Sequence, residues 1–306
     1  MEIKTTILLV NKMSLSTLKS YKMKITKKIL FPTDFSIVAE NAFIYALSLG
    51  EQIKAEIQIV HIVPIFESGE AENIQVHPFM KTANQHLEIC KLEEFKKEQE
   101  RLEQLVSILH KEHIHLKFSF LKGEFLDVIA DLIECQYVDM VVMGTSGANT
   151  IDEKLFGSNT MNIITNTEIP VMVIPSKAKF TSISNYCMAV MLEPEEIFTI
   201  RQIANYLSLL ELPMSCVNIV SSPQMLLIAE RKRQEWMQNV NYSNVTVDII
   251  INNDVSKGLL GYARDNEIDL LGILHRNLPI TKRLFSINHS KLFLKQSQTA
   301  LLIYNI

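Results

Sequence analysis

The sequence is short of cysteine, long apolar runs, net charge and glycine, and each shortage narrows what the chain can be. Its four cysteines, Cys90, Cys135, Cys187 and Cys216, are scattered with no CxxC pair. That pattern argues against a disulfide framework or a cysteine zinc site and fits reduced thiols. No stretch reaches the roughly 18 uninterrupted apolar residues of a membrane helix. The formal charge of -4 gives no electrostatic case for nucleic acid or an anionic membrane. Nor is there a Ser/His/Asp set, a pair of close carboxylates or a Walker lysine, so nothing argues for fast chemistry.

What is present is ample apolar material, 47% of 306 residues, enough for two domains of about 150 residues each. Residues 1–22 read as an extension, with Met13 and Met23 as alternative starts. Their apolar run TTILLV is too short for a signal peptide, and no small-residue cleavage site follows. The expected compartment is the cytoplasm.

From Lys27 onward, strands and helices alternate. KKILF (27–31), AEIQIVHIV (55–63), HLKFSFL (115–121), VDMVVM (138–143) and VMVI (171–174) read as strands. Between them, SIVAENAFIYALSLG (36–50) predicts a helix with Ser36 as N-cap and Gly50 as C-cap. A polar loop over 66–81, a charged helix over 85–111, and helices over 124–136 and 159–167 complete the set. Continuous apolar strands alternating with helices predict an α/β fold with a mostly parallel sheet covered on both faces.

The order then restarts. CMAVML (187–192), MSCVNIV (214–220), VTVDIII (245–251), DLLGIL (269–274) and ALLIY (300–304) follow the same rhythm. Helices are expected over 196–210, 224–240, 255–266 and 286–296, and YVDMVVM matches EIDLLGIL locally. The chain reads as a tandem duplication. Its expected parts are the extension 1–22, a first domain 23–177 and a second domain 178–306, joined near KAKFTSIS (177–184).

Three of the nine glycines fall within GTSGANTIDEKLFGS (144–158), between a predicted strand and a predicted helix. Such a loop lets backbone N–H groups and the helix N-terminus cradle a phosphate. Gly144, Gly147, Gly157 and Ser158 form G-x2-G-x9-G-S. With this pattern, the opening KKILFPTDFS and IVHIV (59–63), the first half resembles the universal stress protein family. The resemblance covers 24–176 strongly and 185–306 mainly by element order.

The resemblance implies tandem Rossmann-like domains of the adenine nucleotide alpha hydrolase-like type, the first binding ATP, ADP or AMP, with Mg2+ dependence open. It implies contacts from Pro32, Thr33, Asp34, Ile62, Met143, Gly144, Gly147, Gly157, Ser158 and Asn159. Asp34 would bond the ribose or adenine edge, and Ile62 would lie beside adenine. Function would follow occupancy, in stress-response regulation, rather than turnover; a ligand-free scaffold and a slow ATP hydrolase are the alternatives. The resemblance also implies that the two domains pair through their last strands as an internal pseudo-dimer, with a homodimer and the protein partner left open.

The second half departs from the motif. Leu274 and Asn277 stand where the first two glycines would be, Ser286 and Ile287 replace Gly157 and Ser158, and Glu193 sits near Asp34's position. Gly258, Gly261 and Gly272 repeat the spacing loosely, but in a helix and a strand. His61 reads as a core or rim residue. His110, His113 and His115 are poorly spaced for shared metal ligation and read as surface. Lys154 could reach a phosphate, whereas Asp152 and Glu153 beside it would oppose one.

Overall fold

The computed structural model describes residues 28–65, 78–145, 158–180, 182–209, 211–275 and 298–305. The expected N-terminal extension, the helix expected over 286–296 and residues 146–157 of the glycine loop lie outside them.

The first half runs β1 (Lys28–Pro32), α1 (Ile37–Ile53), β2 (Glu56–Val63), α2 (Pro78–Ile108), β3 (Leu116–Lys122), α3 (Phe125–Gln136), β4 (Met140–Gly144), α4 (Ser158–Asn166) and β5 (Val171–Ile174). The second half runs β6 (Tyr186–Ala189), a 3-10 turn (Pro194–Glu196), α5 (Ile197–Leu209), β7 (Met214–Val220), α6 (Pro223–Val240), β8 (Val245–Ile251), α7 (Val255–Asp265), β9 (Leu270–His275) and β10 (Ala300–Asn305). All ten strands form one sheet in the order β3-β2-β1-β4-β5-β10-β9-β6-β7-β8. Pairing is parallel within each half, and β5 meets β10 antiparallel, with Met172 opposite Leu302. The last strands of the two halves thus cover each other's edges, which would otherwise offer unpaired N–H and C=O groups.

Two apolar layers, one per face of the sheet, each run through both halves. One holds Ile29, Phe31, Ile57 and Ile59 together with Met188, Cys216 and Leu302. The other holds Leu30, Val60 and Val141 together with Cys187, Val217 and Leu301. Alternate residues of one strand enter opposite layers, as the period of two requires. The outer strands β3 and β8 carry exposed positions along their length, whereas β2 and β7 beside them are buried or half-buried throughout.

Several boundaries differ from expectation. Helix α1 does not stop at Gly50 but continues to Ile53, with Lys54 as its left-handed C-cap at φ 55°. Gly50 is instead a packing glycine: a Cβ there would lie 3.1 Å from Ile57 Cδ1 and 3.3 Å from the Ala55 carbonyl. Helix α2 begins at Pro78, inside the predicted polar loop, because proline at the first helical position loses no hydrogen bond. Strand β6 ends at Ala189, and the apolar residues after it form a turn.

The joint between halves is tied to α1. Asn41 Nδ2 donates to the carbonyls of Pro175 and Ala178, and Gln52 exchanges two hydrogen bonds with the backbone of Ile183.

Candidate functional site

Strand β1 lies between β2 and β4, so the chain winds outward from it in both directions. At such a switch point the loops beyond the strand carboxyl ends diverge and leave a crevice, the usual ligand position in open α/β sheets. The residues predicted from β1, β2 and β4 meet this crevice.

The turn after β1 is held by a chain of short-range bonds. Pro32 is buried opposite Val60, and Thr33 N–H donates to the Val60 carbonyl. Thr33 Oγ1 accepts from Phe35 N–H at 3.0 Å, and Asp34 Oδ1 accepts from Ser36 N–H at 3.1 Å. Ser36 Oγ then caps α1 by accepting from Ala39 N–H, as predicted. Phe35 has φ 57°, an uncommon conformation for a non-glycine residue. These bonds leave Asp34 exposed at the strand ends. His61 lies half-buried behind the turn with its Nδ1 2.8 Å from the Thr33 carbonyl.

Ile62 points to the other face from His61 and packs with Met143 in the same apolar layer. Gly144 ends β4. A Cβ at Gly144 would lie 3.1 Å from Val38 Cγ1 and 3.2 Å from the Val38 carbonyl. Glycine therefore lets α1 approach β4 here, a packing reason that the sequence reading did not contain. Helix α4 starts at Ser158, with Ser158 and Asn159 exposed at its N-terminus. Thr160, buried at 3% exposure, donates from Oγ1 to the Gly144 carbonyl at 3.2 Å and fixes that N-terminus above β4. The first N–H groups of a helix lack internal partners and carry the positive end of its dipole. The structure thus gathers Pro32, Thr33, Asp34, Ile62, Met143, Gly144, Ser158 and Asn159 around the ends of three adjacent strands; Gly147 and Gly157, with Asp152, Glu153 and Lys154, lie outside the described residues. Thr160 had no signal in the sequence, because its role depends on how α4 sits over β4.

The second half shows the same turn without the same chemistry. Pro32 pairs with Val60 and Ala189 with Val217, and each strand is followed by an N–H donated to the paired residue's carbonyl. This register puts Val190 at Thr33's position, Leu192 (φ 60°) at Phe35's and Glu193 at Ser36's. Met191, not Glu193, therefore stands at Asp34's position. Glu196, 5% exposed, folds its carboxylate back to accept from Met191 N–H and Glu193 N–H, an internal group satisfying the turn. The Glu193-Pro-Glu-Glu196 spacing is a capping-box signal that could have revealed it. Leu274, buried in β9, occupies the position of Gly144, as expected. Beside it, burial pushes the His275 pKa down. Gly258 and Gly261 lie in α7 and Gly272 in β9, away from any strand-to-helix loop.

His113 and His115 are exposed and face Glu51 and Glu56 at 3.0 and 3.4 Å. Among the described residues no group of three or more His, Cys, Asp or Glu side chains could hold a metal.

Comparison with known proteins gives a concordant result. The family model described as the universal stress protein family matches residues 26–175. Universal stress protein MJ0531 of Methanocaldococcus jannaschii is 27% identical over 154 residues, covering 50% of this chain and 84% of that protein. Universal stress protein MJ0577 of the same organism is 27% identical over 155 residues, covering 49% of this chain and 96% of that protein. The crystal structure of a universal stress protein from Archaeoglobus fulgidus superposes with a TM-score of 0.61 at 14% identity, covering 91% of this chain and 98% of that one. At that identity the likeness concerns the fold alone, and it extends over both halves.

Proposed function

Residues 26–175 are a universal stress protein family domain, and from that premise we propose that the first half binds one adenine nucleotide, ATP in the first instance, in the crevice beside β1. The observation that carries the reading is the convergence of Asp34, Ile62, Gly144 and the N-terminus of α4 at the strand-order switch. Asp34 accepts hydrogen bonds from ribose hydroxyls or the adenine edge. Ile62 and Met143 supply the apolar wall for the base. The phosphates meet the α4 N-terminus, where Ser158 adds a hydroxyl donor. The described residues of the second half offer no matching site, because Glu196 already occupies its turn and Leu274 fills the place of Gly144.

Occupancy rather than turnover is the proposed output, in stress-response regulation within the cytoplasm. Both helices flanking the crevice are anchored beyond it: α1 to the joint between halves, and α4 to β10 through Asn305 Nδ2, which donates to the Ile164 carbonyl at 2.6 Å. A ligand that orders these helix starts therefore acts on elements shared with the second half. One observation favours the rival reading of a ligand-free scaffold: the contact with Val38 explains Gly144 without any nucleotide.

The test is to denature the purified protein, separate any released nucleotide by chromatography and count it per chain. About one adenine nucleotide per chain is expected, or a thermal shift on adding ATP and magnesium if the site is emptied in purification. No nucleotide and no shift would put the scaffold reading first.

A further inference from the structure

The half-buried imidazole behind the β1 turn does something that its sequence position does not announce. His61 Nδ1 lies 2.8 Å from the Thr33 carbonyl. A carbonyl oxygen can only accept, so the ring donates and Nδ1 carries the proton. Aromatic rings fix the imidazole plane, with the Phe35 centroid at 4.8 Å, Phe120 at 6.1 Å and Phe95 at 6.3 Å. The bond thus joins β2 to the residue immediately before Asp34.

The second half repeats the arrangement with different chemistry. By the strand register, Asn218 is the counterpart of His61 and Val190 that of Thr33. Asn218 is 7% exposed, and its Nδ2 donates to the Val190 carbonyl at 2.7 Å. In both halves the next residue but one, Phe35 or Leu192, takes a left-handed φ of 57° or 60°. Two unlike side chains at one position of a diverged duplication supply the same donor to the same carbonyl. What the two halves retain in common is the donor, not the ring.

From this we infer that His61 is a positioning residue of the nucleotide site: its Nδ1–H holds the Thr33 carbonyl, and so sets the turn that presents Asp34. The affinity arm of the test rests on the nucleotide reading above; the turn arm does not. An acceptor at this depth that loses its donor is left unpaired, and the turn relaxes to satisfy it. Asparagine at position 61 supplies a donor as Asn218 does, whereas phenylalanine keeps the aromatic stack and supplies none.

The experiment compares the full chain with His61→Phe and His61→Asn. It reads ATP affinity by calorimetry, the backbone amide resonances of Phe35 and Ser36 by NMR, and the melting curve. His61→Phe is expected to weaken ATP about tenfold, the size of one hydrogen bond lost at a half-buried acceptor, and to move both amides. His61→Asn is expected to restore the amides and to bind within about threefold of the parent. Parent-like affinity and unmoved amides in His61→Phe would overturn the inference. So would equal losses in the two variants, since the ring rather than the donor would then matter. If the parent binds no nucleotide, the proposed function fails and the amides alone decide: moved in His61→Phe and restored in His61→Asn supports the positioning role, unmoved overturns it. If His61→Phe does not fold, the parent's imidazole nitrogen shifts decide, with an Nδ1–H tautomer in support and an Nε2–H tautomer against.

Discussion

Gln58 is 2% exposed in β2, and among the described residues neither its Nε2 nor its Oε1 has a hydrogen-bond partner. It pairs with Leu30 on β1 and Lys117 on β3, and strand alternation puts it on the face of Leu30 and Val60, the layer that also holds Ile129 and Leu132 of α3. A polar group buried without a partner costs about 1–3 kcal/mol relative to the solvated unfolded chain. Methionine has nearly the same length and flexibility and no such requirement. Gln58→Met should therefore stabilise the protein by about 2 kcal/mol, with allowance for imperfect packing of the thioether. That corresponds to a rise of roughly 5 °C in melting temperature for a chain of this size. The assay is urea unfolding followed by far-UV circular dichroism, where the midpoint should rise with an unchanged slope. Gln58→Ala is the control, since it removes the same polar group but leaves a cavity and should be less stable than the methionine variant. A neutral or destabilising Gln58→Met would refute the reasoning, because it would mean that the carboxamide is satisfied, for instance by an internal water.

Asp34→Ala should weaken adenine nucleotide by about ten- to a hundredfold, the range for a charge-assisted hydrogen bond. The exposed side chain predicts little loss of fold, and calorimetry with parent-like affinity would rule out its part in the site. Gly144→Ala should cost about 1 kcal/mol in urea even without nucleotide, because its Cβ presses on Val38; full stability would show that α1 yields freely. Asn305→Leu leaves the Ile164 and Thr167 carbonyls at the end of α4 without their Nδ2 donor. It should lower stability by about 1–3 kcal/mol and speed amide exchange in α4, and unchanged exchange would count against that anchor. In the native protein a thiol reagent at pH 8 should modify two of the four cysteines, exposed Cys90 and Cys135. Cys187 and Cys216 are buried, and burial pushes the Cys187 thiol up to about 12, so its reactive thiolate is scarce. A third fast-reacting thiol would show that the core opens.

Periodicity made the strands legible because each enters two apolar layers and must read as a continuous apolar run. Boundaries were less legible: Gly50 signals a cap by residue type, yet the close approach of Ile57 and Ala55 is what requires glycine there. In the candidate site, Asp34, Gly144 and Ser158 stood out through spacing around a strand end. Thr160 and His61 did not, nor did Asn218 in the second half, since each acts through a carbonyl distant in sequence or across a strand pair.

By itself, then, the amino-acid order determined the alternation of elements, the duplication and the presence of a glycine motif in one half and not the other. These are local or repeating properties, carried by residue type and interval. The tertiary structure decided how the halves join into one sheet through β5 and β10, and that Met191 rather than Glu193 stands at Asp34's position. It also decided that the buried carboxylate of Glu196 fills the second turn. Such outcomes depend on strand register and on the need of every buried N–H and carbonyl for a partner, and that partner is found only once the chain has folded.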